Sequence, residues 1–128
     1  MQGYHINIGE EAITNTFFRK VLFTGIHCQL VVMSLKPGEE IGMETHPNVD
    51  QFFRIEAGEA KFIINKEETL TEAEDVVIIP AGSEHNVINT SSTEDLKLYT
   101  LYSPPNHPDG TINKTKQDAI AYEQSKDQ

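Results

Sequence analysis

Apolar residues in this chain come in short bursts, and glycine or proline closes most of them. Residues 30–35 form one β-rich run, ended by Lys36-Pro37-Gly38, and residues 52–56 form another, ended by Ala57-Gly58-Glu59. A third run, 61–65, leads into Lys66-Glu67-Glu68, which reads as a solvated turn. Residues 76–79 break at Pro80-Ala81-Gly82; Val87-Ile88 and residues 96–102 complete the set before Pro104-Pro105. Runs this short between turn residues predict strands. The stretch 16–23 is apolar but carries Arg19 and Lys20, and reads as an outer strand. Near the end, Thr115-Lys116-Gln117-Asp118 resembles a capping box, and Ala119, Ile120 and Tyr122 follow at spacings that suit a short helix fraying by Ser125. Many short strands without intervening helices predict an all-β sandwich or closed barrel, with one C-terminal helix lying on it.

Length and charge narrow this picture. At 128 residues the chain is expected to form a single domain, 1–128, with a tail over 104–128. The formal net charge is −10, from 20 acidic against 10 basic residues. Such a surface repels phosphate backbones and anionic lipid, so neither nucleic acid nor membrane is an expected partner. No apolar stretch approaches the ~20 residues that a membrane span needs. The lone cysteine, Cys28, permits no intrachain disulfide and reads as a buried small hydrophobe. Residues 1–10 show no basic start followed by an apolar run, so a cytoplasmic setting is expected and the sequons at Asn89 and Asn113 carry no weight.

The candidate chemistry lies in Glu44, His46, Gln51 and His85. Glu44 and His46 are two apart, and residues i and i+2 of a strand face the same side. In the next run the charged Arg54 and Glu56 should face outward, so Phe53 and Ile55 face inward and Gln51 shares their parity. Asp50 shares the parity of Arg54; a bulge near Val49 would exchange the two. His85 is far downstream, and only the fold can bring it to His46. Two imidazoles, a carboxylate and an amide oxygen suit one borderline divalent ion: Fe, Mn, Ni, Co or Zn. Four protein ligands on a six-coordinate ion leave two positions for water or substrate. His5, His27 and His107 read as structural or surface residues. Phe53, Ile55, Phe62 and Ile64 read as barrel core, while Tyr99 and Tyr102 are pocket candidates of ambiguous parity.

At these positions the chain resembles the cupin superfamily. Residues 80–89, Pro80-Ala81-Gly82-Ser83-Glu84-His85-Asn86-Val87-Ile88-Asn89, match the second cupin motif, Pro-x-Gly-x-x-His-x-x-x-Asn, at every fixed position. Residues 37–58 resemble the first motif, from Gly38 through His46 and Gln51 to Gly58, with two departures. Glu44 stands where the family usually has its first histidine, and Gln51 where it usually has glutamate. The exchange leaves one negative charge among the ligands. The resemblance implies a double-stranded β-helix (jelly-roll) barrel holding one divalent metal ion through Glu44, His46, Gln51 and His85. It is closest to small single-domain, RmlC-like bacterial cupins often likened to mannose-6-phosphate isomerase.

The expected function is metal-dependent catalysis on a small organic or sugar-like molecule, of isomerase, dioxygenase or decarboxylase type, with Glu44 available as a base. The alternative is a non-catalytic module that binds or senses a metabolite or metal. A phosphosugar would want a basic clamp; Arg19, Lys20 and Arg54 are the bases near expected strands, and Arg54 should point away. Met43, Phe52 and Ile63 are apolar on the outer face and need cover, from an N-terminal strand or a second subunit. The small-molecule site is therefore expected in a homodimer, the common cupin arrangement.

Overall fold

The computed structural model describes residues 1–126. Ten strands form two antiparallel sheets. The larger sheet has the order β10 (Ile112–Asn113), β1 (Arg19–Thr24), β2 (Gln29–Leu35), β9 (Leu96–Ser103), β4 (Asp50–Ala57) and β7 (Val76–Ile79). The smaller has β3 (Glu44–Thr45), β8 (Glu84–Asn89), β5 (Glu59–Ile64) and β6 (Glu67–Glu72). Helix α1 (Ile8–Thr14) precedes the strands and α2 (Lys116–Lys126) follows them. The fold is a jelly roll with a short C-terminal helix, as the cupin resemblance and the C-terminal capping pattern implied.

Alternation drives the assembly. Along β4 and β9 every second residue is buried, and these inward residues meet their counterparts from the other sheet. Phe53 of β4 and Phe62 of β5 meet edge-to-face, with ring centroids 5.2 Å apart, and Ile55, Val87 and Leu98 close in around them. Each such side chain is worth ~1.5–3 kcal/mol when fully buried, so this layer holds the sheets together. Ile64, expected in the core, is only partly buried at its edge.

Several elements differ from expectation, for local reasons. Lys66-Glu67-Glu68 is not a turn. The turn is Asn65-Lys66, both at positive φ (48° and 73°), and Glu67 already pairs with Ile64 in a hairpin. Strand β6 went unseen because it lies at a sheet edge and only Thr71 is buried, so no apolar alternation marks it. The expected outer strand 16–23 begins only at Arg19. Helix α1 was also unseen, although it has a start signal: the Asn7 side chain accepts from the Glu10 N–H at 3.0 Å. Ala12 is the buried residue of α1, too few for a periodic stripe. This helix, rather than an N-terminal strand, packs on the outer face of β2, β4 and β9 and supplies part of the expected cover. At the C-terminus, Thr115 Oγ1 accepts from the Asp118 N–H at 3.0 Å, one half of the capping box. Cys28 is half-buried in the β1–β2 turn, where its carbonyl accepts from Gly25 N–H, rather than buried in the core.

One turn is sterically tight. Gly58, between β4 and β5, sits at φ +92°, and a Cβ there would lie 2.7 Å from the Asp95 carbonyl oxygen. Both the backbone angle and the lack of space exclude a side chain. Gly58→Ala is expected to lower stability by about 2 kcal/mol or more. A denaturant titration showing less than about 0.5 kcal/mol of change would contradict this account of the turn.

Candidate metal centre

The two ligand-bearing segments are joined by backbone pairing. Glu44 of β3 lies directly opposite His85 of β8 in register, and His46 follows β3 immediately. The Gly82 N–H donates to the His46 carbonyl at 2.9 Å, and the Ala81 N–H donates to Asp50 Oδ1 at 2.8 Å. The Pro80-Ala81-Gly82 turn is thereby tied to both ends of the 46–50 loop. On the other side, the Gly42 N–H donates to Asn86 Oδ1 at 2.8 Å. Asn89 is structural: its buried amide donates to the Leu35 and Glu94 carbonyls at 3.0 and 2.9 Å.

These ties bring Glu44, His46 and His85 together, each offering one ligand atom within 4.8 Å of the others. The imidazole centroids are 5.4 Å apart, and His46 Nε2 is 3.7 Å from Glu44 Oε2. His85 Nδ1 lies 2.9 Å from the Ser83 carbonyl. A carbonyl only accepts, so Nδ1 carries a proton, and in the neutral ring this leaves the Nε2 lone pair for a metal. Burial pushes the pKa of His46 down; Glu44 opposes this, and His85 and Arg19 add to it. Burial thus favours the neutral form of His46.

Gln51 faces inward on β4 and is 2% exposed, whereas Asp50 is exposed. Its Nε2 donates to Thr100 Oγ1 at 3.0 Å, which turns the amide oxygen away from that bond. His46 Nε2, His85 Nε2 and Gln51 Oε1 are all buried without a hydrogen-bond partner. A buried polar atom left unsatisfied costs ~1–3 kcal/mol, and two of these three, the imidazole nitrogens, lie beside the Glu44 carboxylate with no hydrogen-bond donor to them among the described residues. That donor set fits a divalent cation.

The surroundings resolve other expectations. Tyr102 faces inward, edge-on to His46 at 6.0 Å between centroids. Burial pushes its pKa up to about 12, so its hydroxyl keeps the proton at neutral pH. Tyr99 faces outward against Phe52, at 6.2 Å. His107 is not a mere surface residue, since its Nε2 is 3.2 Å from the Tyr102 hydroxyl. His5 and His27 are exposed. Arg54 points outward and pairs with Glu56 at 3.2 Å. Arg19, by contrast, is 6% exposed and lies inside, beside the Tyr102 hydroxyl. Its shared parity with Val21 was the available signal. A cavity of about 220 Å³ opens next to the cluster, lined by Glu44, Arg19, Met43 and residues of α2.

A jelly roll that gathers two histidines and a carboxylate at one inward point defines a class, and comparison with known proteins agrees. The Cupin domain model matches residues 31–102, and the chain belongs to this family. It is 47% identical over 125 residues to the uncharacterized protein YrkC of Bacillus subtilis, covering 92% of this chain and 66% of that one. The chain thus spans just under two thirds of that relative. The crystal structure of BH2720 from Bacillus halodurans is 40% identical, with a TM-score of 0.91 over 94% of this chain and 95% of that one. A structure described as a predicted oxalate decarboxylase from Thermotoga maritima is 27% identical, with a TM-score of 0.57 over 60% of this chain and 66% of that one. Among the described residues, no helix is long and apolar enough to cross a membrane.

The lowered pKa of His46 carries a sign. Unfolded, it binds a proton near pH 6.5; folded, it resists that proton until lower pH. The metal-free protein should therefore gain stability as pH rises through the interval below 6.5, and level off above it. In His46→Gln this part of the slope should disappear. Urea titrations of both proteins between pH 5 and 8 check it, and identical slopes would contradict the placement of His46.

Proposed function

We propose that this chain binds one divalent metal ion through Glu44, His46 and His85, with Gln51 Oε1 as a fourth ligand, and acts as a metal-dependent enzyme on a small organic molecule. The observation that carries the reading is the convergence of two buried, unpartnered imidazole nitrogens beside Glu44, with the unpartnered amide oxygen of Gln51 also facing the interior. A metal held there would supply Lewis acidity to an oxygen of the substrate. The chain's own residues do the rest. Gln51 is held by Thr100 and His85 by Ser83, so both present fixed atoms. The Glu44 side chain is 33% exposed at the cavity wall, where a loosely held carboxylate can take a proton from substrate. The cavity's 220 Å³ lies below the ~300–1,000 Å³ of drug-sized sites, which favours a molecule of few heavy atoms. Isomerase, dioxygenase and decarboxylase chemistry all fit such a site. The Thermotoga maritima similarity is compatible with the last.

The test is elemental analysis and metal titration of protein purified without a histidine tag. His46→Ala and His85→Ala should each weaken metal binding by ~100-fold or more, beyond the 10–100-fold typical of outer-shell changes. Gln51→Glu should tighten it, because a carboxylate replaces a neutral amide. Wild-type protein that takes up no divalent ion ends the reading. Metal uptake without turnover on a panel of small acids, diketones, phenols and sugars leaves a binding or sensing module instead.

We further infer a cytoplasmic homodimer. Strand β7 is an edge of the larger sheet, and it leaves Val76 48% and Ile78 60% exposed on a face that α1 covers only in part. Light scattering should give a mass near 28.8 kDa, twice the 14.4 kDa of one chain, and Ile78→Glu should shift it toward the monomer. A monomeric wild-type protein at micromolar concentration would refute the dimer.

A further inference from the structure

Arg19 is placed unusually for an arginine. It opens β1 opposite Met33, on the side of the strand that faces the core. It is 94% buried by its 6% exposure. Nη1 reaches Asn113 Oδ1 at 3.4 Å, and Nε is buried with no hydrogen-bond partner. Among the described residues no carboxylate forms an ion pair with it. A buried, unpaired guanidinium is costly, and the cost falls when an anion meets it. The Phe18 ring, 5.3 Å from Cζ, covers one face of the group but neutralises nothing.

The position of this charge gives it a use. Arg19 and Glu44 line the same cavity, under Ala119 and Ile120 of α2. A molecule filling that space meets the guanidinium and the Glu44 carboxylate, the member of the cluster on the lining, together. Glu123, also on the lining, is exposed at the rim, so solvent screens its charge. A planar guanidinium matches a planar carboxylate in a two-pronged pair. Lys116 adds a second cation to the lining, but a phosphate dianion carries twice the charge of a carboxylate and is the more strongly disfavoured by Glu44 and by the chain's net charge of −10.

We propose that Arg19 is the residue that recognises the substrate, and that the substrate is a small monocarboxylate with a second oxygen next to the carboxyl group, as in a 2-oxo or 2-hydroxy acid. The carboxylate sits on the Arg19 guanidinium with the Tyr102 hydroxyl beside it. The neighbouring oxygen faces Glu44, behind which His46 and His85 complete the metal cluster. This assignment rests on the metal reading above for the second oxygen, but its carboxylate–Arg19 pair does not.

Calorimetric titration separates the two. Metal-loaded protein is titrated with pyruvate, lactate, the uncharged ester methyl pyruvate and inorganic phosphate, with metal content measured on every sample. Pyruvate or lactate should bind, and methyl pyruvate should bind at least tenfold more weakly. Arg19→Gln keeps a hydrogen bond to Asn113 within reach and should weaken pyruvate or lactate at least tenfold with metal content unchanged. Arg19→Lys, which keeps the charge and loses the fork, should fall between. If Arg19→Gln does not fold, the Arg19→Lys and ester results decide alone. Ester binding equal to the acid, phosphate binding tighter than both acids, no acid binding to metal-loaded protein, or an Arg19 variant within twofold of wild type overturns the proposal. Wild-type protein that holds no metal yet still binds the acid through Arg19 would sink the metal reading and leave the anion site standing.

Discussion

The candidate site depends on two hydrogen bonds and one strand pairing between two segments far apart in the chain. Gly82 N–H to the His46 carbonyl, Ala81 N–H to Asp50, and the Glu44–His85 register pair are the joints. The two hydrogen bonds are ordinary ones, worth ~0.5–1.5 kcal/mol net each. Their importance is geometric. Without them the 80–82 turn could drift from the 46–50 loop, and the two imidazoles would lose their common point. Asn65 adds a further tie, because its side chain accepts from Glu84 N–H at 3.0 Å and so anchors the start of β8 next to His85.

This framework holds groups that do not satisfy one another. Two imidazole nitrogens stand beside one carboxylate, and an inward amide oxygen is likewise left without a hydrogen-bond partner. Nearby, a buried guanidinium presents donors with no anion. The Tyr102 hydroxyl stands between these groups, next to both Arg19 and Gln51. The arrangement is electrostatically divided, with an acceptor-rich pole and a cationic pole around one small cavity. A cation at the first pole and an anion at the second would relieve both, and a bound anion would also screen the metal from Arg19. The neutral Gln51 fits this balance. A second carboxylate would offset Arg19 from within the protein and weaken the demand for an external anion.

Much of this was legible in the residues themselves. Strand parity placed Gln51 inward and Arg54 outward, because side chains in a pleated strand must alternate and charged Arg54 and Glu56 mark the wet face. Glu44 and His46 were paired by their spacing of two, and His85 by its turn motif. Parity was silent at Tyr99 and Tyr102, since their strand, β9, is apolar on both faces; the structure turns Tyr102 in and Tyr99 out. Helix α1 and strand β6 escaped because each buries a single residue, which leaves no periodic signal.

The sequence by itself determined the local matters: which short runs become strands, where glycine must turn the chain, and which side chains can donate to a metal. It could do so because propensity, alternation and turn chemistry act over a few neighbouring residues. Only the tertiary structure decided that Arg19 is an interior charge rather than a surface one, that Tyr102 and His107 meet, and that Gln51 Oε1 and the Nε2 atoms of both imidazoles are left without hydrogen-bond partners among the described residues. Those properties are set by which distant strands lie alongside, and a one-dimensional pattern holds no record of what packs against it.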